Sequence, residues 1–149
     1  MSLFKTFKKF KKKIAIIDDC NQKLSYQDLK TAANDISKKI KKRSLILMIS
    51  ENSIGSILAY IFCILKKHPV LIVDTKTPPK KIKNIINNYN PKFIFCSKIN
   101  YKIFKRQFLI EYSFFDQHLL KNTNYKKTQI NKNLAILLST SGSMGSTKF

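Results

Sequence analysis

The sequence has no tryptophan, and its 149 residues include only three glycines, four prolines and three cysteines. Scarce Gly and Pro exclude a collagen-like repeat and a low-complexity linker, and 44% hydrophobic residues exclude a disordered tail. Cys20, Cys63 and Cys96 are odd in number and far apart, so they form neither a disulfide framework nor a CxxC metal knuckle. Cys63 and Cys96 fall inside apolar runs, as buried thiols do, and a reducing cytoplasm is the expected compartment. With only His68 and His118 as histidines, a histidine-based metal site has little to draw on, and none is expected. The longest apolar stretch, Ile54 to Leu65, falls short of the roughly 20 residues that span a bilayer. No transmembrane segment is expected.

Acidic residues are scarce too: 8 against 29 basic ones, a formal net charge of +21. Such a balance points first to nucleic acid or an anionic membrane. Its make-up points elsewhere. Only Arg43 and Arg106 are arginines, and Lys, Ile and Asn together fill 60 of the 149 positions. These are residues of A/T-rich codons, whereas nucleic-acid sites favour the bidentate fork of Arg. Most of the charge is therefore read as composition spread over a solvated surface, with no specific nucleic acid as partner. A basic module for nucleic acid or anionic membrane remains the alternative.

At the start, Phe4, Phe7 and Phe10 recur every three residues among lysines. The pattern suits a basic membrane-surface helix, or a leader helix over 1–13 that packs its rings on its own domain. The second is expected. Nothing there has the continuous apolar segment of a secretory signal.

Further along, Lys13 to Asp18 and Leu24 to Tyr26 read as short extended pieces. Ser25 and Asp28 have capping-box spacing before an apolar stripe of Leu29, Ala32, Ala33, Ile36 and Ile40. Ser44 to Ser50 and Val70 to Asp74 are apolar on both faces, as strands of a covered parallel sheet are. Between them a helix capped by Asn52 or Ser53 is expected to run to Lys67. Thr77, followed by Pro78, is the expected cap of a helix carrying Ile82, Ile85, Ile86 and Tyr89, closed by Asn90-Pro91. Phe93 to Cys96 and Leu109 to Phe115 read as strands, 98–108 is ambiguous, and 116–133 reads as mostly polar loop. Leu134 to Leu138 is a last strand. This alternation of strand and helix predicts an α/β layered βαβ domain with a mostly parallel sheet, whose ligands gather at the carboxyl ends of strands.

The last strand runs into Ser139–Lys148, STSGSMGSTK. Gly142 and Gly145 let backbone N–H groups converge, the hydroxyls add donors, and Lys148 brings a full charge. Phosphate oxygens suit this set. Spacing excludes a Walker A loop and a dinucleotide fingerprint. A flexible Ser/Gly linker is the other reading of the composition.

The order of residues decides between them. LLSTSGSMGSTK resembles the signature loop of the adenylate-forming (AMP-binding) synthetases, usually [YFL]-TSGSTG-x-PK, a superfamily of acyl-CoA synthetases, nonribosomal peptide adenylation domains and beetle luciferases. Thr140, Ser141, Gly142, Ser143, Gly145 and Lys148 match. Met144 stands for the usual Thr, Thr147 for the usual Pro, and Phe149 where many members have Gly. Upstream, LSYQDL resembles the family's early "lTYxEL" segment. The strand–helix–strand from Ile46 to Pro78 and the segment from Ile82 to Ser97 are also similar to family segments, so the resemblance covers 14–149.

The resemblance implies an ATP- and Mg2+-dependent ligase that activates a carboxylic acid as its acyl-adenylate. The acyl group then passes to CoA or to the phosphopantetheine thiol of a carrier protein. It assigns Thr140, Ser141, Gly142, Ser143 and Gly145 to the ATP phosphates, with Lys148 as their electrostatic partner. Loss of one hydroxyl at Met144 costs about 1.5–3 kcal/mol of phosphate binding. In the family the adenine site, the Mg-associated acid, the acyl pocket and the catalytic C-terminal Lys all lie downstream of this loop. The chain is thus expected to be the N-terminal part of a longer enzyme, with no complete catalytic set and inactive alone. A non-catalytic remnant is the further alternative.

Overall fold

The computed structural model describes residue 7 and residues 9–138; the chain's first six residues, Lys8 and residues 139–149 lie outside that description. In chain order the elements are β1 (Ile14–Ile17), β2 (Lys23–Ser25), α1 (Tyr26–Lys39), β3 (Ile46–Ser50), α2 (Ile54–Leu65), β4 (Val70–Asp74) and α3 (Pro79–Tyr89). There follow β5 (Phe93–Ser97), a 3-10 turn (Asn100–Ile103), β6 (Phe108–Phe114), β7 (Gln117–Asn122) and β8 (Ile136–Leu138). β1 and β2 form an antiparallel pair, and the other six strands make one sheet in the order β6-β7-β5-β3-β4-β8. Its β5-β3-β4-β8 half is parallel, while β7 runs antiparallel to both β5 and β6. The expected mostly parallel α/β layering is what the chain adopts.

Side chains alternate across the sheet and so build two cores. Ile46, Met48, Phe93, Phe95 and Leu119 pack under α1, α2 and Phe7. Leu47, Ile49, Leu71, Ile94 and Leu120 pack under α3 and the 3-10 segment. Phe7 is buried, and its ring meets Tyr26 edge-on at 5.5 Å. Local chemistry sets the ends of the helices. Ser25 and Asp28 form the capping box, with Asp28 N donating to Ser25 Oγ at 3.2 Å and Ser25 N to Asp28 Oδ2 at 2.8 Å. Ser53, of the two candidates, caps α2, and α2 ends at Leu65 rather than Lys67. Asn90 closes α3 in the left-handed region, at φ 44°.

Two expectations need correcting. The cap of α3 is Pro78 with Pro79 in the first turn, not Thr77 with Pro78, and no side chain caps it. The stretch 116–133 is not loop throughout, because Gln117–Asn122 is β7, inserted between β5 and β6. Its polar ends are buried: Asn122 Nδ2 donates to the Pro91 carbonyl at 3.2 Å, whereas Gln117 Oε1 has no hydrogen-bond partner among the described residues.

Candidate functional site

Thr140, Ser141, Gly142, Ser143, Gly145 and Lys148, with Met144 and Thr147, all lie outside the described residues. What the fold does fix is the strand that leads to them. β8 pairs parallel with β4 in the register Val70↔Ile136, Leu71↔Leu137 and Ile72↔Leu138. Parallel pairing makes β8 run toward the end of the sheet where β4 closes at Asp74, the side on which α/β sheets bind ligands.

Arg43 anchors the approach to β8. Its guanidinium donates to the carbonyls of Leu134 at 2.7 Å, Asn131 at 3.1 Å and Lys132 at 3.3 Å, and Nε donates to the Lys67 carbonyl at 3.1 Å. A planar fork presents five donors in fixed directions, whereas a lysine has three around a single nitrogen. The same arginine borders a cavity of about 380 Å3 that also touches Cys63, Lys67, His68 and Ala135. This hollow sits at the amino ends of the strands, opposite the outlet of β8. Burial lowers the pKa of His68 to about 4, and Arg43 and Lys66 push the same way. Burial raises the Cys63 thiol far above its ordinary range, so it is inert as a nucleophile.

At the carboxyl ends of β3 and β5 a polar cluster joins elements distant in sequence. Gln117 Nε2 donates to Asp116 Oδ2 at 3.1 Å, Glu51 Oε1 at 3.3 Å and Ser56 Oγ at 3.4 Å. Asp116 Oδ1 accepts from the Gly55 backbone at 3.2 Å, placing a carboxylate at the positive end of α2. Burial, and then the adjacent Asp116, raise the Glu51 pKa. For Asp116 burial acts upward as well, but hydrogen bonds from Ser53, Gln117, its own backbone and Gly55 outweigh it and the pKa is lowered. One carboxyl group of the pair therefore keeps its proton longer than the other. Nearby, Asn100 Nδ2 reaches Thr75 Oγ1 at 2.9 Å and Ser97 Oγ at 3.0 Å, tying the ends of β4 and β5 together. The sequence reading missed this cluster. Its one visible signal was Glu51 at the end of an apolar strand, because Asp116 and Gln117 sat in a stretch read as loop.

Gly55 holds the cluster closed: a Cβ there would run into Asp116 Oδ1 and the Gln117 side chain. Gly55→Ala is expected to lower stability by about 1–3 kcal/mol, the cost of an overpacked site. Urea unfolding of the variant checks this, and an unchanged midpoint would show that the turn of β6 and β7 yields freely.

Among the described residues no group of three or more His, Cys, Asp or Glu side chains is placed to hold a metal ion, and no helix is long and apolar enough to cross a membrane. Neither a family model nor a curated protein sequence matches the chain. Solved structures do. o-Succinylbenzoate CoA synthetase from Bacillus subtilis, in complex with its acyl-adenylate intermediate, aligns with a TM-score of 0.69 at 14% identity, over 98% of this chain and 40% of that one. The same Bacillus enzyme in complex with ATP and magnesium aligns with a TM-score of 0.55 at 15% identity, over 62% and 26%. The luciferase-like enzyme of the nonluminescent mealworm Zophobas morio aligns with a TM-score of 0.60 at 22% identity, over 70% and 26%. The chain thus spans between a quarter and two fifths of the length of these three structures. Its fold is that of the N-terminal domain of adenylate-forming enzymes.

Proposed function

We propose that this chain is the N-terminal part of an ATP-dependent ligase that activates a carboxylic acid as its acyl-adenylate and passes the acyl group to the thiol of CoA or of a carrier protein. One observation carries the reading. The segment whose residue order resembles the signature loop follows directly on β8, a strand parallel to β4 that points toward the ligand-binding end of the sheet. In this reading the backbone N–H groups at Gly142 and Gly145 and the hydroxyls of Thr140, Ser141 and Ser143 bind the ATP phosphates. Lys148 holds a positive charge where negative charge builds on the departing pyrophosphate. Magnesium bound to the ATP phosphates would supply further positive charge there. In this reading the 149 residues bind phosphate without completing the reaction by themselves.

Titration of the 149-residue chain with Mg·ATP and with AMP tests this. ATP is expected to bind more tightly than AMP, and Lys148→Ala to weaken ATP by roughly 10- to 150-fold with little change for AMP. Equal affinity of Lys148→Ala and wild type for ATP would overturn the assignment. ATP–pyrophosphate exchange is expected to be absent, and robust exchange with any carboxylic acid would refute the inactivity of the isolated chain.

A further inference from the structure

The charge of the molecule is not evenly distributed. Between Asp74 and Glu111 the sequence has nine basic residues and no acidic one. The fold gathers this stretch into one layer, since α3 and the segment after β5 lie side by side over the same core. Lys80, Lys81 and Lys83 on α3, and Lys98, Lys102 and Arg106 along the segment, are all exposed. Both ion pairs of the described residues, Lys38–Asp35 and Lys121–Glu111, lie outside this layer, so its cations face solvent without a carboxylate. The acids Asp28 and Asp35 are on α1, across the sheet.

Two features turn this field into a surface of definite kind. Ile99, between Lys98 and Asn100 at the corner where β5 ends, is 86% exposed, more than any other large hydrophobic side chain described. Beside α3, a cleft of about 190 Å3 has Lys83, Asn87, Arg106 and Gln107 at its rim and Ile86 and Phe104 among its walls. An aliphatic side chain standing out among lysines has no role on a phosphodiester strand, whose bases stack on aromatic rings or are read by Arg. At a lipid interface it has one: the apolar group enters the acyl boundary while the lysine ammonium groups stay at the headgroups.

We infer that the α3 face docks on the surface of an anionic lipid bilayer, with Ile99 entering the headgroup region and the cleft between Lys83 and Arg106 receiving a lipid phosphate. The inference is independent of the ATP reading, because it does not use the signature loop. Attraction of each lysine to an anionic leaflet adds to that of its neighbours and is screened by salt.

Co-sedimentation of the full chain with vesicles of phosphatidylcholine alone, and with about one third phosphatidylglycerol, tests it. Binding is expected only to the anionic vesicles, and to fall steeply as salt rises. Reversing Lys80, Lys81 and Lys83 to Glu is expected to weaken it by roughly 100-fold or more. Reversing Lys39, Lys41 and Lys42, at and just after the end of α1, is expected to cost less than a third of that on a logarithmic scale. Ile99→Asn, at a side chain 86% exposed, is expected to weaken binding by about tenfold with no change in thermal unfolding. Equal losses for the two lysine triples, or wild-type binding by Ile99→Asn, would overturn the proposal. So would displacement of the chain from vesicles by single-stranded RNA at matched phosphate concentration.

Discussion

Replacing Phe95 by alanine is expected to lower the free energy of unfolding by about 3–5 kcal/mol. Phe95 is fully buried on β5, the strand that joins the parallel half of the sheet to the antiparallel β6–β7 pair. Its ring meets Phe62 of α2 edge-on at 6.0 Å and Phe114 of β6 edge-on at 5.8 Å. Removing it takes away the apolar burial and leaves a gap that three elements must close together. None of them can move alone, because β5 is hydrogen-bonded on both sides and α2 is held at its start by Ser53 and Asp116. A domain of this kind has about 5–15 kcal/mol of stability in all, so the loss is a large share. Urea midpoints with an unchanged m value measure it. A loss under about 1 kcal/mol would mean that the three rings do not pack as described.

His68 should give the fold a stability that depends on pH. It is buried, stacks on Phe62 at 5.2 Å between ring centroids, and accepts the Ser44 N–H at its Nδ1 over 3.2 Å. Neutral imidazole fits this setting and imidazolium does not, so its pKa falls from 6.5 to about 4. The unfolded chain then binds more protons than the folded one within that interval. Stability should therefore be highest above pH 6.5, decline as pH falls toward about 4, and change no further through this group below it. The full decline from this residue is at most about 3 kcal/mol. Asp116, with its lowered pKa, adds a loss at more acid pH, whereas Glu51, with its raised pKa, lowers stability as pH rises through its shifted range. The His68→Gln variant isolates the histidine. Its stability profile should be flatter than wild type between pH 6.5 and 4, and parallel profiles would show that His68 is not the source.

How far the sequence revealed this molecule depended on how local the information was. α1 could be read from Ser25, Asp28 and an apolar stripe, because a cap and a stripe are properties of neighbours in sequence. β3 and β4 could be read because a strand covered on both faces has no polar side to disguise it. β7 could not: Gln117, His118, Lys121 and Asn122 look like loop, and the side-chain N–H groups of the buried Gln117 and Asn122 find their acceptors on residues distant in sequence. The same holds for the functional residues. The phosphate loop is a contiguous string and could be recognised from its order. The Glu51–Asp116 cluster exists only after the β6–β7 turn has folded over the start of α2, and no short-range pattern announces it.

β8 closes one side of the sheet as the outermost strand among the described residues, and Ile136 and Leu138 on it are exposed. A bare apolar edge commonly leads to stacking between copies and loss from solution. Here a formal charge of +21 on each copy opposes close approach. Long-range repulsion between copies therefore contributes to colloidal stability. Added salt, which shortens that repulsion while leaving the apolar attraction intact, should make the protein less soluble instead of more.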